Sequence, residues 1–535
     1  MADRRQGGDC GPRDAAAPRA LRAGDVHPLR RCEPRLGACD RCGAAAVTVL
    51  AEVGGVIGAL GLAVVIAGRR REERLAGLAA WALGLALLVV ALAPSLPWLL
   101  LVGGGVAGLA LAAGGARLLH RRPWLLAFAT LVCVPIRIPV ELGDDQANLL
   151  LPLYLVALSA ALALARDLVV GRDSRVRELG AVALPLAVFV AWSGVTLLWS
   201  SDVREGAIAL GAFVLPFGLV AVGFARLPWR GRELTRLFGL LVATAYLYAA
   251  IGVGQWFTRD VFWNPKVIVG NAYAPFFRVN SVFWDPSIYG RYLVVGILAA
   301  LAGVLLRGVA GRAAWGLVAA IATLWAGLLL SFSQSSFVAL AAGTVLAATI
   351  VWGRRAFVAA AALGLLVGAL VIAAPQTRER AFDESRSQLD RVTSGRASLV
   401  GHGIRLVGER PVHGVGIGAF ERTVAERAGL PRRASRRAAS HTTPLTVAAE
   451  TGLPGLLLFG WLVFTALRAA LTGLGTGFTS RVSFAVGLTL AAITVHSIFY
   501  SGFFEDPMTW ALLGLVGLAT SVPRRAPRSV TEARA

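Results

Sequence analysis

The sequence predicts an all-α polytopic membrane protein with about 12–15 transmembrane helices and one large, mostly helical extracytoplasmic loop. The chain of 535 residues is 56% hydrophobic and 16% charged, whereas a soluble protein carries about 25% charged residues. Its apolar residues run in blocks of about 17–25 residues, the length that crosses a bilayer core. Because lipid offers the backbone no hydrogen bonds, such blocks must be helices.

These blocks set the order of the elements. They fall at about 44–67, 75–93, 97–115, 124–140, 148–165, 180–199, 206–224, 237–256, 288–306, 313–330, 337–352, 356–374, 444–468, 482–500 and 507–522, each compared with the spanning length. The divisions that follow are a basic, disordered N-terminal tail (1–43), N-terminal helices (44–256), an outer loop with central helices (257–374), a large extracytoplasmic loop (375–443), C-terminal helices (444–522) and a basic cytoplasmic tail (523–535).

Loop charge predicts the orientation of these helices. Basic connections alternate with acidic or neutral ones, and the positive-inside rule places the basic set in the cytoplasm. The basic set comprises residues 69–74, 117–122, 166–177, 226–236, 307–312, 354–355 and 523–528. Three outer segments follow, 257–287, 331–336 and 375–443. The rule leaves the N-terminal tail outside if 44–67 spans, so two readings stay open: a true span with an exceptional tail, or a re-entrant or lateral block.

The net charge of +22 does not indicate a nucleic-acid-binding protein. The charges sit in short loops between apolar blocks, not on one continuous face, and Lys266 is the only lysine among 53 basic residues. The N-terminal tail carries Cys10, Cys32, Cys39 and Cys42. Their spacing with His27 matches no standard metal site, so no metal and no cofactor are expected.

Charged residues beside the outer ends of the blocks indicate where chemistry could occur, because each costs about 2.5–3.5 kcal/mol at a helix centre. Arg137 and Arg291 lie near the outer ends of two blocks, and Arg278 lies in the outer loop immediately before the block of Arg291. Asp285 precedes Arg291 by six residues. A single arginine would extend to the headgroups, but three arginines with one aspartate suit an anionic ligand.

The large loop has a second set of candidates. Residues 394–410 fit a helix whose apolar side is Leu399, Ile404, Leu406 and Val407 and which Pro411 ends. Arg396 and Arg405 face opposite ways on that helix, so one ligand does not meet both. The glycine-rich residues 413–420 form a weak phosphate motif and fit a tight turn better.

His441 and Glu450 form a third set, where the loop re-enters the membrane. A neutral imidazole at this boundary suits a general base near neutral pH, although a lone histidine there is often structural. Two roles are open for Glu450, nine residues on: it holds His441 in one tautomer, or it caps the next helix.

Over about residues 270–510, the order of these motifs resembles the O-antigen ligase and O-antigen polymerase superfamily of bacterial membrane glycosyltransferases, which has a GT-C type architecture. The resemblance rests on Arg278 before Asp285-Pro286-Ser287, on Ser394-Gly395-Arg396 before Pro411, Gly414, Gly416 and Phe420, and on His441-Thr442 before Leu445, Glu450, Gly452 and Gly455. The sequence departs from the family at Thr442 and Ser287, where asparagine is usual, at Val400, where tryptophan is common, and at residues 333–336, which replace a Ser-Arg pair.

The resemblance implies transfer of a glycan from a polyprenyl (undecaprenyl) pyrophosphate carrier to a hydroxyl of an acceptor glycan or lipid, on the outer face of the bacterial cytoplasmic membrane. Arginine forks can neutralise a diphosphate without metal. Arg278 and Arg396 would then bind the pyrophosphate, with Arg291 and Arg137 as further donors. His441 would be catalytic, with Glu450, Asp285 and Arg405 in support.

Two other functions fit parts of the pattern. A transporter or flippase of an anionic lipid or small anion would also use arginines at the outer boundary, and it predicts paired broken helices and internal repeats. A non-catalytic envelope scaffold would make no demand on the arginine and histidine positions.

Overall fold

The computed structural model describes residues 38–94, 96–142, 145–171, 179–228, 231–273, 276–305, 311–373, 396–429, 441–474 and 478–521. The chain divides into two compact units, Met1–Ala44 and Ala45–Ala535, and the second unit holds every candidate span. Cys10, Cys32, residues 523–535 and the side chains of Cys39 and Cys42 lie outside the described residues, so the predictions made for the two tails fall there.

The first half of the chain contributes nine α-helices and one hairpin. In order these are α1 (Ala38–Ala67), α2 (Arg71–Leu92), α3 (Trp98–Arg121), α4 (Trp124–Cys133), β1 (Ile138–Leu142), β2 (Asp145–Leu149), α5 (Leu151–Val170), α6 (Ala183–Val195), α7 (Val203–Ile208), α8 (Leu215–Ala225) and α9 (Gly231–Thr258). Short 3-10 turns flank α6 at Gly180–Val182 and Thr196–Trp199, and a π-helical turn, Ala209–Val214, joins α7 to α8.

The second half is helical throughout its described residues. Its elements are α10 (Pro265–Tyr273), α11 (Pro286–Leu305), α12 (Arg312–Ser331), α13 (Gln334–Trp352), α14 (Arg354–Ala373), α15 (Arg396–Glu409), α16 (Phe420–Arg427), α17 (Thr443–Leu471), α18 (Phe478–Phe499) and α19 (Pro507–Ser521). Helices α15 and α16 belong to the large loop, so its described part is mostly helical, as predicted.

The predicted class of an all-helical polytopic membrane protein is confirmed. Each of the fifteen apolar blocks contains a helix, and twelve described segments are long and apolar enough to cross a membrane. Helix α1 supplies one of them, Ala45–Ala67. Its glycines pack tightly on α2, where a Cβ at Gly54 would approach Leu87 to 2.8 Å. The block 44–67 is therefore a helix of spanning length, which favours the first of its two readings.

One predicted span, the block 124–140, is wrong in its second half. Helix α4 ends at Cys133 after ten residues, and an antiparallel hairpin follows, with Ile138 opposite Leu149 and Leu142 opposite Asp145. Two prolines, at positions 135 and 139, explain the change, because a proline inside a helix removes a hydrogen bond and clashes with the preceding turn. The β-branched residues around them favour extended backbone.

The bundle is arranged around two deeply buried segments. In both Val203–Ala225 and Pro286–Leu305, 72% of the apolar stretch is buried, against 11% in Trp98–Arg121. Helix α11 packs against α9, α12, α13 and α18, and α8 packs against α5 and α19. Helices α8 and α11 therefore form the centre, and α3 lies at the edge with most of its surface open to lipid.

Connections that were predicted to share one side of the membrane contact one another. Near the basic end, Arg226 pairs with Asp167 at 2.9 Å, and Arg71 donates to the Val169 carbonyl at 2.6 Å. At the opposite end, the Ser201 amide donates to the Val415 carbonyl at 3.1 Å. The two ends are thus distinct. Which of them faces the cytoplasm stays a prediction from charge.

Candidate functional site

The glycine-rich segment 413–420 is a tight turn held on both sides by backbone. Its φ angles at Gly414, Gly416 and Gly418 are 65°, 91° and 77°, values that side chains rarely tolerate. A Cβ on Gly416 would overlap the Ser200 backbone, and one on Gly418 would overlap the Gly206 backbone. The tight turn is confirmed, and its glycines are needed for close packing.

The other side of the turn rests on a break in helix α17. The helix is interrupted at Gly452, whose φ and ψ are 73° and −179°. The carbonyls that lose their helical partners are taken up elsewhere: Ala449 accepts from the Val415 amide at 2.9 Å and Glu450 accepts from the Gly416 amide at 2.8 Å. The amides of Val415 and Gly416 are therefore bonded to the protein and are not available to a phosphate group.

Glu450 makes a contact that neither of its two predicted roles includes. Its carboxylate accepts a hydrogen bond from the Phe420 amide at 3.2 Å and another from the Gly418 amide. It thus clamps the far end of the turn to α17. The sequence did not reveal this contact, because the partners lie 30 residues apart.

Replacing Gly416 with alanine should unfold this turn locally. The positive φ alone costs about 1–3 kcal/mol for a side chain, and the overlap with Ser200 adds to it. Faster proteolysis of the outer loop in membrane vesicles, together with a lower melting temperature, is the expected readout. Gly408→Ala in α15 is the matched control, since a Cβ there meets nothing within 4 Å. Equal behaviour of the two variants would contradict this account of the turn.

His441 lies at the start of the α17 segment in a strained conformation. Its φ is 55°, which is uncommon for a residue other than glycine although histidine tolerates it better than most. The side chain is half-buried. Thr442 follows as the N-cap of α17. His441 therefore lies directly before the first turn of a helix of spanning length.

The residues with a strained backbone lie on the segments that are predicted to be extracytoplasmic. Among the described residues, non-glycine positive φ angles occur at Arg259, Trp263, Ser281, Phe332 and His441. All five positions fall within 257–287, 331–336 or 375–443. Such strain persists only where the surrounding contacts enforce it, and it concentrates at functional sites. The shared location supports a site on this end of the bundle.

Arg278 is held at the same end by its own backbone and side chain. Its amide donates to the Asn271 side chain at 3.0 Å and its carbonyl accepts from that side chain at 2.9 Å. Its Nε donates to the Ser331 carbonyl at 3.2 Å. Stacked rings of Phe276 and Phe332, 4.5 Å apart, lie beside it. Arg278 is half-buried and is held at the C-terminal end of α12.

Arg291 pairs with a residue that the sequence analysis did not single out. Its Nε lies 2.7 Å from Asp506 Oδ2, and both side chains are 5% exposed. Its NH1 donates to the Gly502 carbonyl at 3.4 Å. Asp285, the expected neighbour, instead accepts from the Ser287 amide at 2.7 Å and caps α11. Arg291 therefore fixes the connection 500–506 to the core, and the pair leaves it little capacity for a ligand.

The connection 500–506 also faces Arg137. Burial raises the pKa of Glu505, while the positive charges of Arg137 and Arg291 lower it. The negative charge of Glu505 also acts on the carboxyl group of Glu450. The charges of Arg137, Arg291, Glu505 and Glu450 are therefore near enough to affect one another.

A buried serine and histidine cluster was missed by the sequence analysis. His496 is fully buried and its Nε2 lies 3.1 Å from Ser335 Oγ. Ser333 Oγ lies 3.3 Å from Ser335 Oγ and 2.8 Å from Ser336 Oγ. The position of His496 inside the apolar block 482–500 does indicate a role, because an ionisable residue within a span is costly and seldom without a function. These residues occupy the stretch 333–336, where the family pattern has a Ser-Arg pair.

The remaining candidates lie on α15. The side chain of Arg396, its first residue, lies outside the described residues, and Arg405 is exposed. The predicted apolar side is right for Leu406, Leu399 and Val407, which pack on Phe420 and its neighbours. It is wrong for Ile404, which is 61% exposed.

A salt bridge holds the two loop helices together. Arg427 donates to Glu409 through two nitrogens, one of them at 2.9 Å. The hydrogen bonds from Arg427 lower the pKa of Glu409. Helix α15 also meets the start of α17, where a Cβ on Gly403 would approach Leu445 to 2.6 Å. The helix that begins at Arg396 thus packs beside the segment that follows His441.

The comparison with known proteins covers part of this candidate site. The chain carries an O-antigen ligase domain: the family model so described matches residues 318–460. The matched region contains Arg396, His441, Glu450 and the serine stretch 333–336, whereas Arg137, Arg278 and Arg291 precede it. No curated protein matches the chain.

Proposed function

From this O-antigen ligase domain, we propose that the protein transfers a glycan from a polyprenyl pyrophosphate carrier to an acceptor hydroxyl at the outer face of the cytoplasmic membrane. The observation that carries the proposal is the domain match over 318–460, which includes Arg396, His441 and Glu450. The strained φ of 55° at His441 supports a functional role for that residue.

The proposed reaction is a single displacement with inversion. The acceptor oxygen forms a bond to the anomeric carbon while the bond from that carbon to the pyrophosphate oxygen breaks. His441 accepts the proton of the attacking hydroxyl. Arg278 and Arg396 stabilise the negative charge that develops on the leaving pyrophosphate. Apolar spans hold the polyprenyl tail, and no metal takes part in the proposal.

The other predicted residues take positioning roles in this proposal. Glu450 shapes the turn beside His441 through the Gly418 and Phe420 amides. Arg291, through Asp506, fixes the connection 500–506, and Arg137 acts on the same connection through Glu505. Asp285 caps α11. Arg405 is exposed, and in this proposal it contacts solvent or lipid headgroups.

Replacing Arg278 tests the donor half of the proposal. Arg278→Ala should lower the transfer rate by about 10²–10³-fold, the usual effect of removing one donor to developing charge. Arg278→Lys keeps the charge but loses the fork, so it should recover only part of the rate. The assay uses membranes with the full chain, carrier-linked glycan and acceptor, at matched protein abundance. Arg312→Ala, at the basic end, serves as control; wild-type transfer by Arg278→Ala would reject the assignment.

The transporter alternative has one observation in its favour, the broken helix α17. A transporter of this kind uses a pair of such helices whose free backbone groups face the ligand. Here the freed carbonyls are already bonded, since Thr451 also accepts from Trp192 Nε1 at 2.9 Å. The break therefore serves to hold the outer loop, which fits the glycan transfer proposal better.

A further inference from the structure

The basic end of the bundle carries a cavity that the proposed reaction does not use. A cavity of about 910 Å³ opens between the end of α3, the start of α4 and the first turns of α9. Its polar lining consists of Arg121, Arg122, Arg236 and Glu233. Three positive charges against one negative charge leave the cavity with a net charge of about +2 at neutral pH. Charge of this sign in a cavity suits an anionic group.

The acidic residue of this cavity has unused hydrogen-bonding capacity. Glu233 Oε1 accepts from Arg236 NH1 at 3.0 Å. The second oxygen, Oε2, is buried and has no hydrogen-bond partner within the described part of the chain. A buried carboxylate oxygen without a donor is costly. When the carboxylate turns into the cavity, a ligand with a hydroxyl beside its anionic group would remove this cost.

An apolar groove continues from the cavity along the membrane direction. The groove has a volume of about 510 Å³ and lies between α9 and α12. It is lined by Phe238, Val242, Ala243, Tyr246, Leu317 and Ala320. Gly239 lines both spaces, and a Cβ there would meet nothing within 4 Å. The basic cavity and the apolar groove are therefore continuous through Gly239.

We infer that this composite space binds an anionic diacyl phospholipid of the phosphatidylglycerol type. Its phosphodiester would lie among Arg121, Arg122 and Arg236, and a glycerol hydroxyl would donate to Glu233 Oε2. One acyl chain would follow the groove between α9 and α12. Because the positive-inside rule puts this end in the cytoplasm, the lipid comes from the inner leaflet. The site is at the opposite end of the bundle from His441 and does not depend on the proposed function.

Lipid selection by the full chain tests the headgroup part of the inference. The protein is reconstituted in nanodiscs of phosphatidylcholine with one tenth phosphatidylglycerol, and the lipid that stays bound is measured by native mass spectrometry. We expect the wild type to retain phosphatidylglycerol far above its share. The double variant Arg121→Ala/Arg236→Ala should lower that enrichment about thirtyfold, from the attraction that each of the two arginines supplies.

A matched double variant separates a site from general attraction to a basic surface. Arg354→Ala/Arg355→Ala removes the same charge from exposed positions at the start of α14, and it should leave the enrichment unchanged. An equal loss in both double variants, or no enrichment in the wild type, would overturn the inference. Replacing phosphatidylglycerol with phosphatidylethanol, a phosphodiester of the same charge without the glycerol hydroxyls, tests the hydroxyl: weaker retention is expected, and equal retention would remove Glu233 from the site.

Filling the groove tests the acyl-chain part. Gly239→Leu places a side chain in the open space where the two parts join and should reduce retention of phosphatidylglycerol by about tenfold, the loss expected when about two CH₂ groups of an acyl chain leave the groove. Gly364→Leu on α14 is the control, because a Cβ there also meets nothing within 4 Å. Both variants should fold, as judged by their elution from a sizing column. Unchanged retention in Gly239→Leu would show that the groove holds no chain.

Discussion

Replacing His441 with alanine should lower the rate of glycan transfer by about 10²–10⁴-fold, the contribution typical of a general base. The assay is the transfer reaction in membranes that contain equal amounts of each variant. His413→Ala is the matched control. It lies in the same outer loop, its side chain is exposed, and its carbonyl keeps the 2.8 Å hydrogen bond from Trp199 Nε1.

A second variant at the same position distinguishes the imidazole from the strained backbone. Asparagine adopts positive φ at low cost, so His441→Asn keeps the conformation and removes the base. If the imidazole carries the reaction, His441→Asn is as inactive as His441→Ala. If only the backbone matters, His441→Asn transfers glycan at the wild-type rate, and the proposed catalytic role is rejected. Wild-type activity in both variants would show that His441 takes no part in the transfer.

Breaking the Arg291–Asp506 pair should destabilise the protein by about 3–5 kcal/mol, because one charge would stay buried without its partner. Arg291→Leu and Asp506→Leu are each expected to lower the melting temperature in detergent and the abundance in membranes. The double variant Arg291→Leu/Asp506→Leu should be more stable than either single one, since it leaves no unpaired charge.

The stability of the double variant tests whether Arg291 and Asp506 act as a pair. If the losses of the two single variants simply add in the double variant, the residues do not act as a pair. Arg354→Leu, an exposed arginine on α14, is the control for removing an arginine and should change stability by less than about 0.5 kcal/mol. The stability readout also separates this role from direct ligand binding, which would lower transfer without lowering the melting temperature.

Hydrophobic block length was sufficient to predict the helices. All fifteen blocks contain one, because a bilayer-spanning segment must satisfy its own backbone. The block 124–140 failed where Pro135 and Pro139 interrupt it. Hydropathy averages over a window and does not register the missing amide of a proline. Hydropathy alone therefore does not predict the hairpin at Ile138–Leu149.

The candidate site was predictable only in its parts. Arg278, Arg396 and His441 were selected from motif spacing, and the tight turn was expected from its glycines. Partners that lie far apart in sequence were not foreseen: Arg291 and Asp506 are 215 positions apart, and Glu450 reaches the Phe420 amide across 30. Such pairs depend on which helices become neighbours, and that information is not in local periodicity.

The glycine turn has a consequence for the order in which the protein is made. Its residues, 413–420, contact a connection at 200–206 that is synthesised earlier and a broken helix at 449–453 that is synthesised later. During translation the amides of Val415 and Gly416 have no protein acceptor until α17 has left the ribosome and entered the membrane. A nascent chain that ends before residue 449 therefore holds an open outer loop. The segment around His441 takes its final shape only in the last fifth of synthesis.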